Sequence, residues 1–187
     1  MKRFLLLLPL LLLSSCTNPD QGNIVNATVE TSLGTFQLEL DADKAPLTVA
    51  NFVAYAKAGH YNGLVFHRVI KGFMIQGGGY DEKMNHRATQ PTVKNEAKNG
   101  LKNARGTIAM ARTSDPHSAS SQFFINHKDN DFLDYPGQDG WGYCVFGKVT
   151  EGMDVVDKIA TTPTGMLPPF GRDVPLTAVV IKSITVK

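Results

Sequence analysis

A chain of 187 residues with 42% hydrophobic and 19% charged content can bury one continuous core, with no room for a second domain of similar size. Its formal charge of +2 is owed to Lys2 and Arg3, because without residues 1–15 there remain 17 basic against 17 acidic side chains. A balance of that kind offers a polyanion no basic field, so nucleic acid is excluded as an expected partner.

At the N-terminus, Lys2-Arg3 precede an apolar run from Phe4 to Leu13 that is too short to span a bilayer comfortably, and residues 1–15 read as a signal peptide. The run closes on Leu13-Ser14-Ser15-Cys16, which resembles the lipobox of bacterial lipoproteins. That resemblance implies cleavage before Cys16, acylation of its thiol and a membrane-anchored mature N-terminus; an ordinary signal peptide with a chance cysteine is the alternative. Residues 16–25 are expected to be the lipidated cysteine and a flexible tether, polar from Thr17 to Asn23 and reaching roughly 15 Å as a random coil. Residues 26–187 form the folded domain. If Cys16 carries lipid, Cys144 has no intramolecular partner and no disulfide is expected; set in the apolar run Gly142-Tyr143-Cys144-Val145-Phe146-Gly147, it reads as a buried core residue.

Alternation at Val29 and Thr31, a break at Ser32-Leu33-Gly34, and renewed alternation at Phe36, Leu38 and Leu40 predict a β-hairpin with one apolar face. Pro46 followed by Val49, Phe52, Val53 and Ala56, then Gly59, predicts an amphipathic helix. A second helical stripe runs through Met153, Val156 and Ala160, with Pro163 and Gly165 beyond it. Between the two lie short apolar runs at Leu64 to Ile70, Phe73 to Ile75, Thr107 to Ala111, Gln122 to Ile125 and Tyr143 to Val149. Val174 to Val186 adds apolar segments at the end. So many short strands with only two helices favour a closed antiparallel sheet over a βαβ fold, whose crossovers need more helices.

The run Phe66-His67-Arg68-Val69-Ile70-Lys71-Gly72-Phe73-Met74-Ile75-Gln76-Gly77-Gly78 closely resembles the signature of the cyclophilins. Gly106-Thr107-Ile108-Ala109-Met110-Ala111-Arg112 and Ser121-Gln122-Phe123-Phe124-Ile125-Asn126 are similar to the family's other pocket strands and stand in the expected order. Val93-Lys94-Asn95-Glu96-Ala97 and Tyr143-Cys144-Val145-Phe146-Gly147-Lys148-Val149 resemble its bacterial branch. The likeness extends from about Asn26 to Lys187. It implies a mainly β fold, a closed eight-stranded antiparallel barrel capped by two α-helices, and peptidyl-prolyl cis/trans isomerase activity without a cofactor.

Such an enzyme must lower a rotational barrier of about 18 to 20 kcal/mol about the bond before proline. As the amide twists, the lone pair returns to the prolyl nitrogen, so a catalyst need only stabilise a pyramidal nitrogen and hold the ring. By resemblance, Arg68 donates toward that nitrogen. Taken alone, an arginine beside a histidine on a strand is the pattern of an exterior salt bridge; the flanking blocks reverse that reading. Phe73, Met74, Phe124 and Leu133 correspond to the proline pocket, and Gln76 and Gln122 supply amide donors and acceptors. Ala111 and Arg112 match the strand whose backbone pairs with the peptide. Period two puts Met74 and Gln76 on one face, so Phe73 joins them only through a bend near Gly72.

Phe132 stands where many eukaryotic members have a rim tryptophan, and Tyr143 where they have histidine. Phe132 has no indole N–H, which implies weak binding of cyclosporin, the family's cyclic-peptide inhibitor. His60, His67, His86, His117 and His127 lack the paired spacing of a metal site. Gly77-Gly78-Gly79 has no Gly-Lys-Ser/Thr and reads as a tight turn, and Ser120-Ser121 lacks a Gly-x-Ser-x-Gly elbow. Expected partners are proline-containing peptides, unfolded proteins and, through Cys16, a membrane; a monomer is expected. Thr17 in place of aspartate after the lipidated cysteine leans toward the periplasmic face of the outer membrane. Two other readings compete: a non-catalytic proline-peptide module or holdase, and a purely structural envelope lipoprotein.

Overall fold

A computed structural model describes residues 22–187. Residues 1–21, where the signal peptide, Cys16 and most of the tether are expected, lie outside the described residues. The first strand already begins at Ile24, inside the segment assigned to the tether. It does so because Ile24 and Val25 find pairing partners in Asp41 and Leu40.

The strands are β1 (Ile24–Thr31), β2 (Gly34–Asp41), β3 (Leu64–Ile70), β4 (Met74–Asp81), β5 (Thr107–Met110), β6 (Phe123–Asn126), β7 (Val145–Glu151), β8 (Thr164–Leu167), β9 (Gly171–Pro175) and β10 (Val180–Val186). Eight of them close an antiparallel barrel in the order β1-β10-β3-β4-β6-β5-β7-β2, so the expected architecture is the observed one. Alternation drives the closure. Ala27 and Val29 on β1 stand opposite Leu38 and Phe36 on β2, all four buried, while their neighbours face outward.

Helix α1 (Pro46–Lys57) and helix α2 (Met153–Ala160) fall on the two predicted stripes. Phe52 of α1 enters the core among the rings of Tyr61, Phe123 and Phe146, 5.2 to 5.6 Å between centroids. No side chain of its own caps α1. Instead the carboxylate of Glu96 accepts the backbone N–H of Thr48 (2.8 Å), that of Leu47 (3.2 Å) and the Thr48 hydroxyl (2.7 Å). A distant acid thus satisfies the orphan donors and the positive helix end, which gives the Val93 to Ala97 block a structural reason to be there. Cys144 is buried and free, and burial pushes its thiol up to about 11.

Two features depart from the sequence reading. The triple glycine is no tight turn: Gly77, Gly78 and Gly79 lie inside β4. A Cβ at Gly78 would stand 2.9 Å from the Ser121 carbonyl, and one at Gly79 would stand 2.6 Å from the Gln122 side chain. Glycine there permits close approach of neighbouring chain segments. Beyond α2, β8 and β9 pair as a separate two-stranded hairpin, Thr164 opposite Pro175 and Leu167 opposite Gly171. Half-exposed, Pro- and Gly-rich and without an alternating apolar face, it left no strand signal.

Candidate active site

The barrel carries a second apolar patch on its outer surface, formed by Met74, Ala109, Phe124, Leu133 and Val145, with Phe73, Ala111 and Tyr143 packed at its edge. Period two explains it: Ile75, Phe123 and Ile125 point into the core, so Met74, Gln76 and Phe124 must point out. On β3 the pairing with β4 slips between Phe66 and Arg68. That bulge at His67 keeps Phe66 and Val69 in the core while Arg68 leaves it, directly opposite Gln76.

A cleft of about 110 Å³ results, lined by Arg68, Phe73, Met74, Gln76, Ala111, Arg112, Phe124, Leu133 and Tyr143. Its volume is space for a few waters or one small ring. Nine of the eleven residues expected at a substrate site therefore meet in one place. Gln122 and Phe132 do not line it. Gln122 sits behind Gln76 and accepts a hydrogen bond from its amide nitrogen (3.1 Å), fixing how Gln76 is presented. Phe132, 48% exposed, stacks on the outer side of Phe73 with centroids 5.8 Å apart and opens onto a shallower groove with Lys102, Asp131 and Tyr135.

Ala111 and Arg112 lie just past the end of β5. The N–H of Ala111 already donates to the Gln122 carbonyl (3.0 Å), so what it offers a peptide is its own carbonyl. The side chain of Arg112, only 3% exposed, is spent on scaffolding: it pairs with Asp139, donates to the Gly142 carbonyl (3.0 Å) and lies 4.4 Å above the Tyr143 ring. Through it the loop from Tyr135 to Gly142 is tied down and Tyr143 is held edge-on to Phe124.

Phe73 reaches the cleft through the expected bend, where Gly72 adopts φ 71°. The bend is clamped by residues that sequence reading passed over. The Nδ1 of His127 accepts the Gly72 N–H (2.9 Å), which leaves its Nε2 to donate to Asp157 on α2 (3.0 Å). The Phe73 carbonyl accepts from the Asn130 side chain and from the His127 backbone, both at 2.9 Å. Asn130 also donates to Asn126 (2.7 Å), Asn126 to Asn103 (3.2 Å), and Asn103 to Asp134 (3.1 Å), beside Leu133. Asparagines in loops, as Asn103 and Asn130 are, or at a strand end, as Asn126 is, read as solvated turn residues, and only the fold reveals them as a buried frame.

The other residue displaced by the bulge, His67, is buried against Tyr80 and Phe170. Burial lowers its pKa to about 4, with the charge of Arg68 acting in the same direction. Since the folded pKa lies below the ordinary 6.5, the unfolded chain binds the proton first as pH falls. Stability present above pH 6.5 is lost toward pH 4, by about 3 kcal/mol. Urea titrations at the two pH values should show this loss in the wild type and a much smaller one in His67→Phe; equal losses would assign the effect elsewhere.

A family model described as cyclophilin type peptidyl-prolyl cis-trans isomerase/CLD matches residues 26–186. The chain is similar to peptidyl-prolyl cis-trans isomerase B of Escherichia coli strain K12, 55% identical over 161 residues that cover 85% of this chain and 98% of the relative. It is 57% identical over 153 residues to peptidyl-prolyl cis-trans isomerase A of Dickeya dadantii, covering 82% and 80%. Among solved structures, a cyclophilin type peptidyl-prolyl cis-trans isomerase of Cryptosporidium parvum superposes with a TM-score of 0.73 at 26% identity, covering 88% of this chain and 98% of the other. A second structure of that protein, solved in the presence of the dipeptide Ala-Pro, gives 0.72.

Proposed function

On the premise that this chain belongs to the cyclophilin-type peptidyl-prolyl cis-trans isomerase family and is an isomerase of that kind, we propose that Arg68 is its catalytic residue and that its clients are proline-containing chains folding in the cell envelope. The observation that carries the catalytic reading is the position of Arg68. It is opposite Gln76 on the neighbouring strand, at the mouth of a cleft walled by Phe73, Met74, Phe124 and Leu133.

The apolar walls grip a prolyl ring without competing for its polar atoms. Among the described residues no side-chain hydrogen bond occupies the Arg68 guanidinium, so its donors are free for the substrate. As the amide twists and loses resonance, a guanidinium N–H donates to the lone pair returning to nitrogen, and Gln76 holds the preceding carbonyl. The reaction forms and breaks no covalent bond. Uncatalysed exchange takes roughly tens to hundreds of seconds. Purified residues 17–187 should shorten this for a short Xaa-Pro peptide, whereas peptide binding without acceleration would favour a docking module.

The address rests on Leu13-Ser14-Ser15-Cys16. Cleavage before Cys16 and acylation of its thiol would tether the enzyme at the periplasmic face of the outer membrane, where secreted chains fold. A lipid probe should label the wild-type protein in cells and fractionate with outer membrane, and Cys16→Ala should lose the label; label retained by that variant would remove the anchor.

Phe132 supports a prediction about inhibition. It packs at the rim but has no donor, so Phe132→Trp should bind cyclosporin about tenfold more tightly by supplying one hydrogen bond. Nanomolar inhibition of the unmodified protein would contradict it.

A further inference from the structure

Resting on the assignment of Arg68 above, we infer that Asp173, on the β8–β9 hairpin, is a positioning residue for the isomerase reaction, holding the Arg68 guanidinium with its donors turned to the cleft. Its Oδ2 lies 4.0 Å from Arg68 Nε. Among the described residues no other carboxylate comes within that distance of the guanidinium. The contact is made at Nε, which leaves both Nη groups, the strong part of the fork, unpaired and available to substrate.

Asp173 is not a loose surface acid. The chain is anchored on either side of it: in the turn before β9, Phe170 packs on Tyr80 at 4.9 Å and on the displaced His67 at 6.5 Å, and in β9 Val174 is buried and pairs with Gly165. The bulge that brings Arg68 out of the barrel brings out His67 beside it, and the hairpin engages both. The carboxylate is therefore delivered to Arg68 by a paired hairpin whose anchor is the neighbouring residue of the same bulge. At 43% and 30% side-chain exposure the pair is open to screening ions, so its influence should fade with salt. A long flexible side chain at the mouth of an open cleft samples many rotamers, and one fixed opposite charge narrows them before substrate arrives. The hairpin thus has a task in the active site although it contributes no wall to the cleft.

The test compares wild type, Asp173→Asn, Asp173→Glu and Arg68→Ala, with kcat and KM obtained from NMR exchange of an Ala-Pro peptide. Asp173→Asn should lower kcat about three- to fivefold with KM unchanged. Asp173→Glu should recover most of the loss, and all variants should keep the wild-type Tm within a few degrees. Wild-type kcat should decline with added salt, while that of Asp173→Asn stays flat, and the 15N signal of Arg68 Nε–H should shift in Asp173→Asn. Full kcat in Asp173→Asn beside an impaired Arg68→Ala would overturn this inference alone. Full kcat in Arg68→Ala would overturn the assignment on which it rests, and with it this inference.

Discussion

Replacing Arg68 by alanine should reduce kcat/KM for a short Xaa-Pro peptide about 100-fold, the scale on which single donors aimed at developing charge act in a dry or half-dry site. Stability should hardly change. The side chain is 43% exposed, makes one partly screened ion pair and contributes nothing to the apolar core. Activity and stability therefore separate at this position, which is what distinguishes a residue acting on the substrate from one that builds the cleft. A drop in Tm as large as the drop in rate would mean that the loss reflects folding. Lysine should restore little, because a point charge cannot reproduce the planar fork.

Asn130→Ala should show the opposite pattern, with a stability loss of about 4 kcal/mol and a KM raised about tenfold. Asn130 is fully buried, and its amide supports both the Phe73 carbonyl and the Asn126 side chain. Truncation leaves the buried Asn126 amide oxygen without its donor, removes one of the two donors to the Phe73 carbonyl and opens a void beneath the bend that carries Phe73. Once that bend loosens, the wall it supplies becomes mobile, so ring binding weakens before the chemistry does. Denaturant unfolding and peptide kinetics on the same sample measure both effects. A variant of wild-type stability would show that water or a neighbouring side chain fills the gap.

These two positions also mark what was legible in the sequence. Arg68 and the apolar walls sit on strands, where period two and the match to a known signature fix both face and neighbours, and the structure brings nine of the named residues together. The barrel was readable for the same reason: Val29, Phe36, Leu38 and Leu40 alternate, and helices α1 and α2 carry stripes that nothing else explains. Gln122 and Phe132 do not line the cleft but contact Gln76 and Phe73, which do, since strand alternation gives a face but not how far along the sheet the cleft extends. The frame of Asn103, Asn126, Asn130 and His127 was invisible because the contacts that tie it to Gly72, Phe73, Asp134 and Asp157 span 30 or more residues of sequence, and because these residue types signal turns. The β8–β9 hairpin was missed because its stability comes from Phe170 and Val174 packing on other strands, a tertiary gain that leaves no local pattern.

The reading of Arg68 is tested most directly on the enzyme-bound peptide, where binding and rotation can be measured apart. With an Ala-Pro peptide saturating either wild type or Arg68→Gln, NMR exchange should give dissociation constants within about threefold of each other, because the ring-binding walls are untouched. The cis/trans rate of the bound peptide should be about 100-fold slower in the variant. Bound-state exchange as fast in Arg68→Gln as in the wild type would contradict the account, whatever the overall rates.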